Sequence, residues 1–203
     1  MSIAKKSGLL IFLVLLFDQI SKVYVKLHFS LGEQFEIFPW FKILFIENNG
    51  MAFGMEIIGK LFLTVFRILA VIGLAFYIRH LIKLNVKQGY ILTISLVLAG
   101  AAGNIIDSLF YGILFSASNY MGPIATLLPH GGGYAGLFYG KVVDMLYFPL
   151  IKNAAGETLF FSPIFNVADS AISVAVGIIL LFYRKELNES LDSKKKKDAE
   201  VNQ

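Results

Sequence analysis

Four stretches of this chain are long and apolar enough to cross a bilayer, and no other feature limits its possible folds so strongly. A hydrocarbon core of about 30 Å takes roughly 20 apolar residues per helix. The stretches run from about Leu9 to Leu27, Leu61 to Ile82, Tyr90 to Tyr111 and Phe165 to Tyr183. The composition agrees: 57% of the 203 residues are hydrophobic and 16% charged, against roughly 45–50% and 25% in a soluble domain. These values exclude a disordered chain, a collagenous one and a nucleic-acid-binding domain. The chain has no cysteine, which excludes disulfides, thiolate metal sites and a cysteine nucleophile.

Orientation follows from the basic residues, because short cytoplasmic connections collect Lys and Arg. Lys5 and Lys6 precede the first span, Arg79, Lys83 and Lys87 flank the short second connection, and Arg184, Lys185 and Lys194 to Lys197 follow the fourth span. Those are eleven of the eighteen basic residues. Lys26, Lys42, Lys60, Lys141 and Lys152 are spread over the two long connections. The expected fold is therefore a mainly α membrane protein with four transmembrane helices, both termini cytoplasmic, and a small extracytoplasmic β-cradle. The first span has a basic start, but Asp18 and Lys22 interrupt it and no A-x-A site follows, so it is expected to be a retained span and not a cleaved signal peptide.

The outer connections carry structure of their own. Phe35 to Glu47 is rich in Phe and Ile around Pro39-Trp40 and ends in the turn signal Asn48-Asn49-Gly50. It predicts short strands at the membrane surface, anchored by Trp40 and its Phe neighbours. Lys141 to Phe148 predicts a further strand, broken by the single carboxylate of Asp144. Residues 1–183 form one domain, and 184–203, charged and without apolar periodicity, are expected to be a disordered tail.

Charged groups inside a span cost roughly 2.5–3.5 kcal/mol each near its centre, so their placement is informative. Given the orientation, Asp18, Lys22, Asn104 and Asp107 lie in the outer halves of the first and third spans. Asn166 and Asp169 occupy the outer first turn of the fourth, and Asp144 lies just before it. Asp18 and Lys22 are spaced i,i+4 for an ion pair. Asn104–Asp107 and Asn166–Asp169 are spaced i,i+3, so each amide lies over the face of its carboxylate. Asn166–Asp169 also has the form of a helix cap. Arg67, mid-span in the second helix, suits snorkelling or a structural pair.

Several chemistries fail on spacing. Ser21 and Lys22 are adjacent and do not share a helix face. Pro129-His130-Gly131-Gly132-Gly133 has no G-x-S-x-G partner, and His28, His80 and His130 are scattered without an H-E-x-x-H. What remains is a pair of carboxylates sharing one proton, the ionised member activating water and the protonated member bonding a carbonyl oxygen. A small transporter or proton-coupled channel also uses buried carboxylates. It would need them along the whole path, whereas the inner halves of these spans hold almost none.

Five blocks occur in order: Asp18-Gln19-Ile20-Ser21-Lys22, Asn48-Asn49-Gly50-Met51-Ala52-Phe53, Gly103-Asn104-Ile105-Ile106-Asp107, Val142-Val143-Asp144 and Phe165-Asn166-Val167-Ala168-Asp169. Together they resemble the lipoprotein signal peptidase (signal peptidase II) family. The resemblance implies an aspartyl endopeptidase of the bacterial inner membrane, working at the outer leaflet. It would remove the signal peptide from diacylglyceryl-modified prolipoproteins by cutting before the lipidated cysteine. It places the catalytic pair on Asp144 and Asp169 and supporting positions on Asp18, Lys22, Asn48, Asn104, Asp107 and Asn166. No metal or other cofactor is implied. The expected partners are the prolipoprotein and membrane lipid, no nucleic acid is expected, and the chain is expected to act as a monomer. Two departures stand out: Ser108 follows Asp107 where the family usually has arginine, and an insertion at about 116–137 separates Asp107 from Asp144. Its place beside the site suggests a lid or substrate-selecting flap.

Overall fold

The computed structural model describes residues 1–49, 59–152, 158–160 and 163–190. The first span is helix α1 (Ile3–His28), started by the Ser2 side chain, which accepts the Lys5 N–H. The second is α2 (Lys60–Lys83). The third is α3 (Gln88–Ile106), which continues through a π-helical turn (Asp107–Tyr111) into a closing turn, α4 (Gly112–Leu114). These three are long and apolar enough to cross a membrane. The fourth, α5 (Val167–Phe182), has 16 residues, about 24 Å at ~1.5 Å per residue. A short helix, α6 (Arg184–Ser190), turns away from it at 91°. The irregular tail expected from residue 184 thus begins as helix, because Leu187 packs into the inner core and Ser190 meets Tyr77. The Lys194–Lys197 run lies outside the described residues.

The outer connections form the expected sheet. Strands β1 (Gln34–Phe38) and β2 (Phe41–Asn48) make a hairpin around Pro39-Trp40. β3 (Val142–Tyr147) and β6 (Ile164–Phe165) extend it antiparallel in the order β1-β2-β3-β6, while β4 (Ile151–Lys152) and β5 (Thr158–Phe160) pair separately. The block Gly50 to Phe53 lies outside the described residues. Stacked rings run from Trp40 to Phe148 (6.2 Å) and on to Phe165 (5.7 Å). That places an aromatic band at the edge of the sheet, as an interfacial belt requires.

Burial separates two cores. The inner one joins Ile78, Leu81, Tyr90, Ile91, Ile94, Leu98 and Ile179 of α2, α3 and α5. The outer one joins Val25, Leu31, Phe45, Tyr111, Phe115, Val143 and Met145 where the helices meet the sheet. Between them, α3 and α5 approach closely through glycine: a Cβ on Gly100 would lie 2.3 Å from the Ala168 carbonyl oxygen. Phe12, Phe17, Phe66, Phe76 and Leu181 face outward, as lipid-facing residues do.

The insertion is packed down, not held away as a flap. A helix end leaves its last carbonyls unpaired, and here the incoming chain pairs several of them. Leu128 N–H donates to Leu114 O (2.7 Å), Ala135 to Gly112 O (2.9 Å), Phe138 to Leu109 O (3.3 Å) and Gly140 to Ser108 O (2.9 Å). Contact is close enough that a Cβ on Gly140 would sit 2.0 Å from the Asp107 carbonyl oxygen. The segment is thus a collar around the outer end of the third span.

Candidate active site

The polar residues singled out by sequence converge at the outer end of the bundle. Asp18, Lys22, Asp107 and Asn166 are fully buried and Asp144 is 3% exposed; Asn48, Asn104 and Asp169 are partly buried. They are brought together by α1, β2, α3, the π-turn, β3 and the first turn of α5.

Lys22 is the hub. Its Nζ donates to Asp18 Oδ2 at 2.9 Å, Asp107 Oδ2 at 2.8 Å and Asn104 Oδ1 at 2.9 Å, which uses all three ammonium donors. The two carboxylates then reach the other elements. Asp18 Oδ1 accepts the Ala168 N–H of α5 (2.9 Å), and Asp107 Oδ2 accepts the Val143 N–H of β3 (3.3 Å). Gln19 Nε2 closes the set on Asp18 (3.0 Å), Asp107 (2.9 Å) and Gly103 O (3.2 Å), while Gln19 Oε1 accepts the Tyr111 hydroxyl proton (3.2 Å). Buried charges cost several kcal/mol each unless paired and hydrogen-bonded. This brace meets that condition and ties α1 to α3, α5 and β3.

Above the brace lie the two remaining carboxylates. Asp144 Oδ1 accepts from Asn166 Nδ2 at 2.6 Å, and Asp144 Oδ2 accepts from Asn48 Nδ2. Asp169 Oδ1 accepts from Asn104 Nδ2 at 2.8 Å. Asn166 is also the N-cap of α5: its Oδ1 takes the Asp169 N–H (2.9 Å) and Asp169 Oδ2 takes the Asn166 N–H (3.4 Å), a complete capping box. Cap and site are therefore the same residues. Asn166 Nδ2 further reaches Asn104 Oδ1 (3.1 Å), so two amides bridge Asp144 and Asp169. Burial pushes the Asp144 carboxyl up to about 7, and the nearby charge of Asp169 adds to the effect. Asn166, Lys22 and Asn48 partly offset the rise.

Ser108 supplies no charge where an arginine is usual. Its hydroxyl donates to Asn104 O at 3.0 Å, within its own helix. Sequence reasoning passed over Gln19, whose only signal was its place beside Asp18. It also placed Lys26 in a loop, whereas Lys26 lies fully buried in the last turn of α1, bonded to Glu47 and Ser118. Nothing local in the sequence links residues 26, 47 and 118. Among the described residues, no group of three or more His, Asp or Glu is placed to hold a metal ion. An apolar groove of about 540 Å³ opens between α1 and the sheet, lined by Phe17, Ile20, Tyr24, Phe35, Ile43 and Met145.

Apolar spanning helices capped by a small antiparallel sheet, with a buried carboxylate-centred site between them, define a polytopic membrane protein of the enzyme type. The relatives make the assignment specific. The profile of the Signal peptidase (SPase) II family matches residues 10–184, and the chain belongs to that family. The lipoprotein signal peptidases of Porphyromonas gingivalis strains ATCC 33277 and W83 are 46% identical over 199 residues, covering 92% of this chain and 86% of theirs. That of Amoebophilus asiaticus is 33% identical over 192 residues, covering 87% and 77%. Two solved bacterial membrane enzymes share the fold. One has a TM-score of 0.62 at 25% identity, over 91% of each chain. The other has 0.59 at 26% identity, over 87% of this chain and 91% of that one.

Proposed function

We propose that this protein is an aspartyl endopeptidase that removes the signal peptide from prolipoproteins, cutting before the diacylglyceryl-modified cysteine. The observation that carries the mechanism is the amide-bridged pair Asp144 and Asp169, with Asp144 shifted to about 7. Near neutral pH such a pair holds one proton between two carboxylates. The ionised carboxylate takes a proton from water as the water oxygen bonds to the scissile carbonyl carbon. The protonated carboxyl gives its proton to the carbonyl oxygen. Collapse of the resulting diol breaks the C–N bond, the leaving nitrogen takes a proton from the pair, and a new carboxyl terminus remains. Asn104 and Asn166 keep the carboxylates aimed, and the Lys22 brace fixes the helices and strand that carry them.

The supporting groups act on position, not on the scissile bond. The site lies at the outer, periplasmic side of the bacterial inner membrane, on the orientation set by the basic residues, and the chain works as a monomer in contact with lipid. The aromatic band supports a sheet resting at the headgroup level. A proton relay across the membrane is disfavoured by the inner core, whose buried members Ile78, Leu81, Ile91, Ile94, Leu98 and Ile179 carry no ionisable group.

The test uses purified protein with a lipid-modified precursor and the same precursor unmodified. Cleavage of only the first is expected, and Asp144→Asn or Asp169→Asn should each lower the rate at least ~100-fold while the protein remains folded. Normal cleavage by either variant would remove that residue from the pair.

A further inference from the structure

We propose that Lys26, Glu47, Ser118 and Lys141 form a positioning clamp that fixes the end of β2, and with it the Asn48 amide, against Asp144. This rests on the peptidase reading of Asp144 and deepens it, because it gives the insertion a part in the site.

The geometry is a buried knot between four segments. Lys26, in the last turn of α1, donates from Nζ to Glu47 Oε1 and to Ser118 Oγ (2.9 Å). Its ammonium also lies over the rings of Phe115 (5.4 Å) and Tyr134 (5.1 Å). Ser118, from the insertion, donates its hydroxyl to the same Glu47 oxygen at 2.8 Å. Lys141, at the start of β3, reaches Glu47 Oε2 at 3.6 Å, and its backbone N–H donates to the Tyr134 hydroxyl at 2.6 Å. The Lys26 and Glu47 side chains are 0% and 2% exposed.

A buried ion pair is poor value as a source of stability, since apolar side chains of similar size commonly do as well. What this one does is fix a place. β1 pairs with β2 only as far as Leu44, and Phe45 then pairs with Gly32 and Glu33. From Ile46 onward β2 pairs with β3, Glu47 opposite Val143 and Asn48 opposite Val142. The clamp holds Glu47 from the other direction, one residue before the amide that bonds Asp144. The insertion thus acts as part of the scaffold of the site, and two of its side chains, Ser118 and Tyr134, complete the knot.

The consequence for Asp144 has a definite sign. The groups facing it are Asp169 and Asn166 from α5, Lys22 from α1 and Asn48 from β2. Of these, Asn48 favours the ionised form, so loosening it raises the titration of Asp144.

The test is a double-mutant cycle in the full-length membrane protein. The pair Lys26→Met/Glu47→Leu removes both charges together, so neither is left buried alone. It is made with and without Asn48→Ala, and kcat, KM and pH profile are measured on the lipid-modified precursor. The clamp predicts a folded protein with KM within about twofold, kcat lowered about tenfold, and the pH profile displaced upward by roughly half a unit. In the Asn48→Ala background the same substitutions should change neither quantity further. Equal losses in both backgrounds, or an undiminished kcat in the folded variant, would overturn the proposal. Should that pair fail to fold, Ser118→Ala alone removes two hydrogen bonds without altering charge. It must lower kcat about twofold and lose that effect in Asn48→Ala; independence of Asn48 would again sink the clamp. Carboxyl carbon NMR of Asp144 reads the same shift without substrate. A wild-type enzyme that cleaves nothing, together with the shift in the Lys26→Met/Glu47→Leu variant, would therefore refute the peptidase reading and leave the clamp standing.

Discussion

Asp144 illustrates how a carboxyl proposed for catalysis works against the fold that holds it. Buried on β3 and facing Asp169, it titrates near 7 in the folded protein and near the ordinary carboxylate value when unfolded. Below pH ~4 both states hold the proton and the group costs nothing. Between ~4 and ~7 the unfolded chain releases it while the folded protein keeps it, so stability falls as pH rises and levels off above ~7. Asp144→Asn abolishes this dependence. Relative to wild type, the variant should gain roughly 2–4 kcal/mol across that window, read as the difference between their thermal midpoints in detergent from pH 4.5 to 7.5. A gap that stays constant with pH would show that Asp144 is not shifted in the fold. Asp18 and Asp107 belong to the brace, where Lys22 and Gln19 occupy their oxygens. Asp18→Ala leaves the Lys22 ammonium and the Ala168 N–H short of a partner, and should lower folded yield and activity together.

At the level of elements, most of the frame was legible because hydrophobic length and alternation are local properties of sequence. The four spans, the hairpin around Pro39-Trp40 and the β3 strand follow directly from them, and the spacing Asn166-x-x-Asp169 already described the capping box. The candidate site residues stood out through cost, since each is a polar group in or beside an apolar setting. What stayed hidden depends on contacts between distant segments. The π-turn at Asp107–Tyr111 exists beside a collar that pairs its carbonyls, and α6 exists because Leu187 and Ser190 find partners on the inner core. The same logic applies to Gly100. At Gly100 a Cβ would strike backbone, 2.3 Å from the Ala168 carbonyl and 2.7 Å from Ile172 Cγ1. Gly100→Ala should push the first turn of α5 away from α3, separating Asn104 from Asp169, with a loss of about 2 kcal/mol or more and most of the activity. Gly73 and Gly177 meet nothing within 4 Å, so alanine there should be neutral or stabilise by up to ~1 kcal/mol through helix propensity. Equal effects at all three positions in thermal melts and cleavage assays would refute close packing as the reason for Gly100.

For the whole molecule the remaining question is which way the bundle faces, and the sequence offers a direct means of asking. The site gathers at one end with the sheet and the collar, and the opposite end carries α6, the Lys87–Glu186 ion pair at 2.6 Å and the second connection. Lys and Arg accumulate at that second end, which the positive-inside tendency assigns to the cytoplasm. On the proposed orientation the site faces outward, where a secreted precursor would present its cleavage point after its signal segment has entered the membrane. With no native cysteine, a single introduced thiol reports its own side without background. Cysteine in place of Ile37, exposed on β1, should react with a membrane-impermeant maleimide in intact cells with a permeable outer layer. Cysteine in place of Lys185, exposed on α6, should react only after the inner membrane is opened. Reaction of both before opening would mean that the inner membrane leaks. The reversed pattern would turn the carboxylates toward the cytoplasm, where they could not meet a precursor from the outer face, and would end the case for lipoprotein maturation whatever the purified protein cleaves.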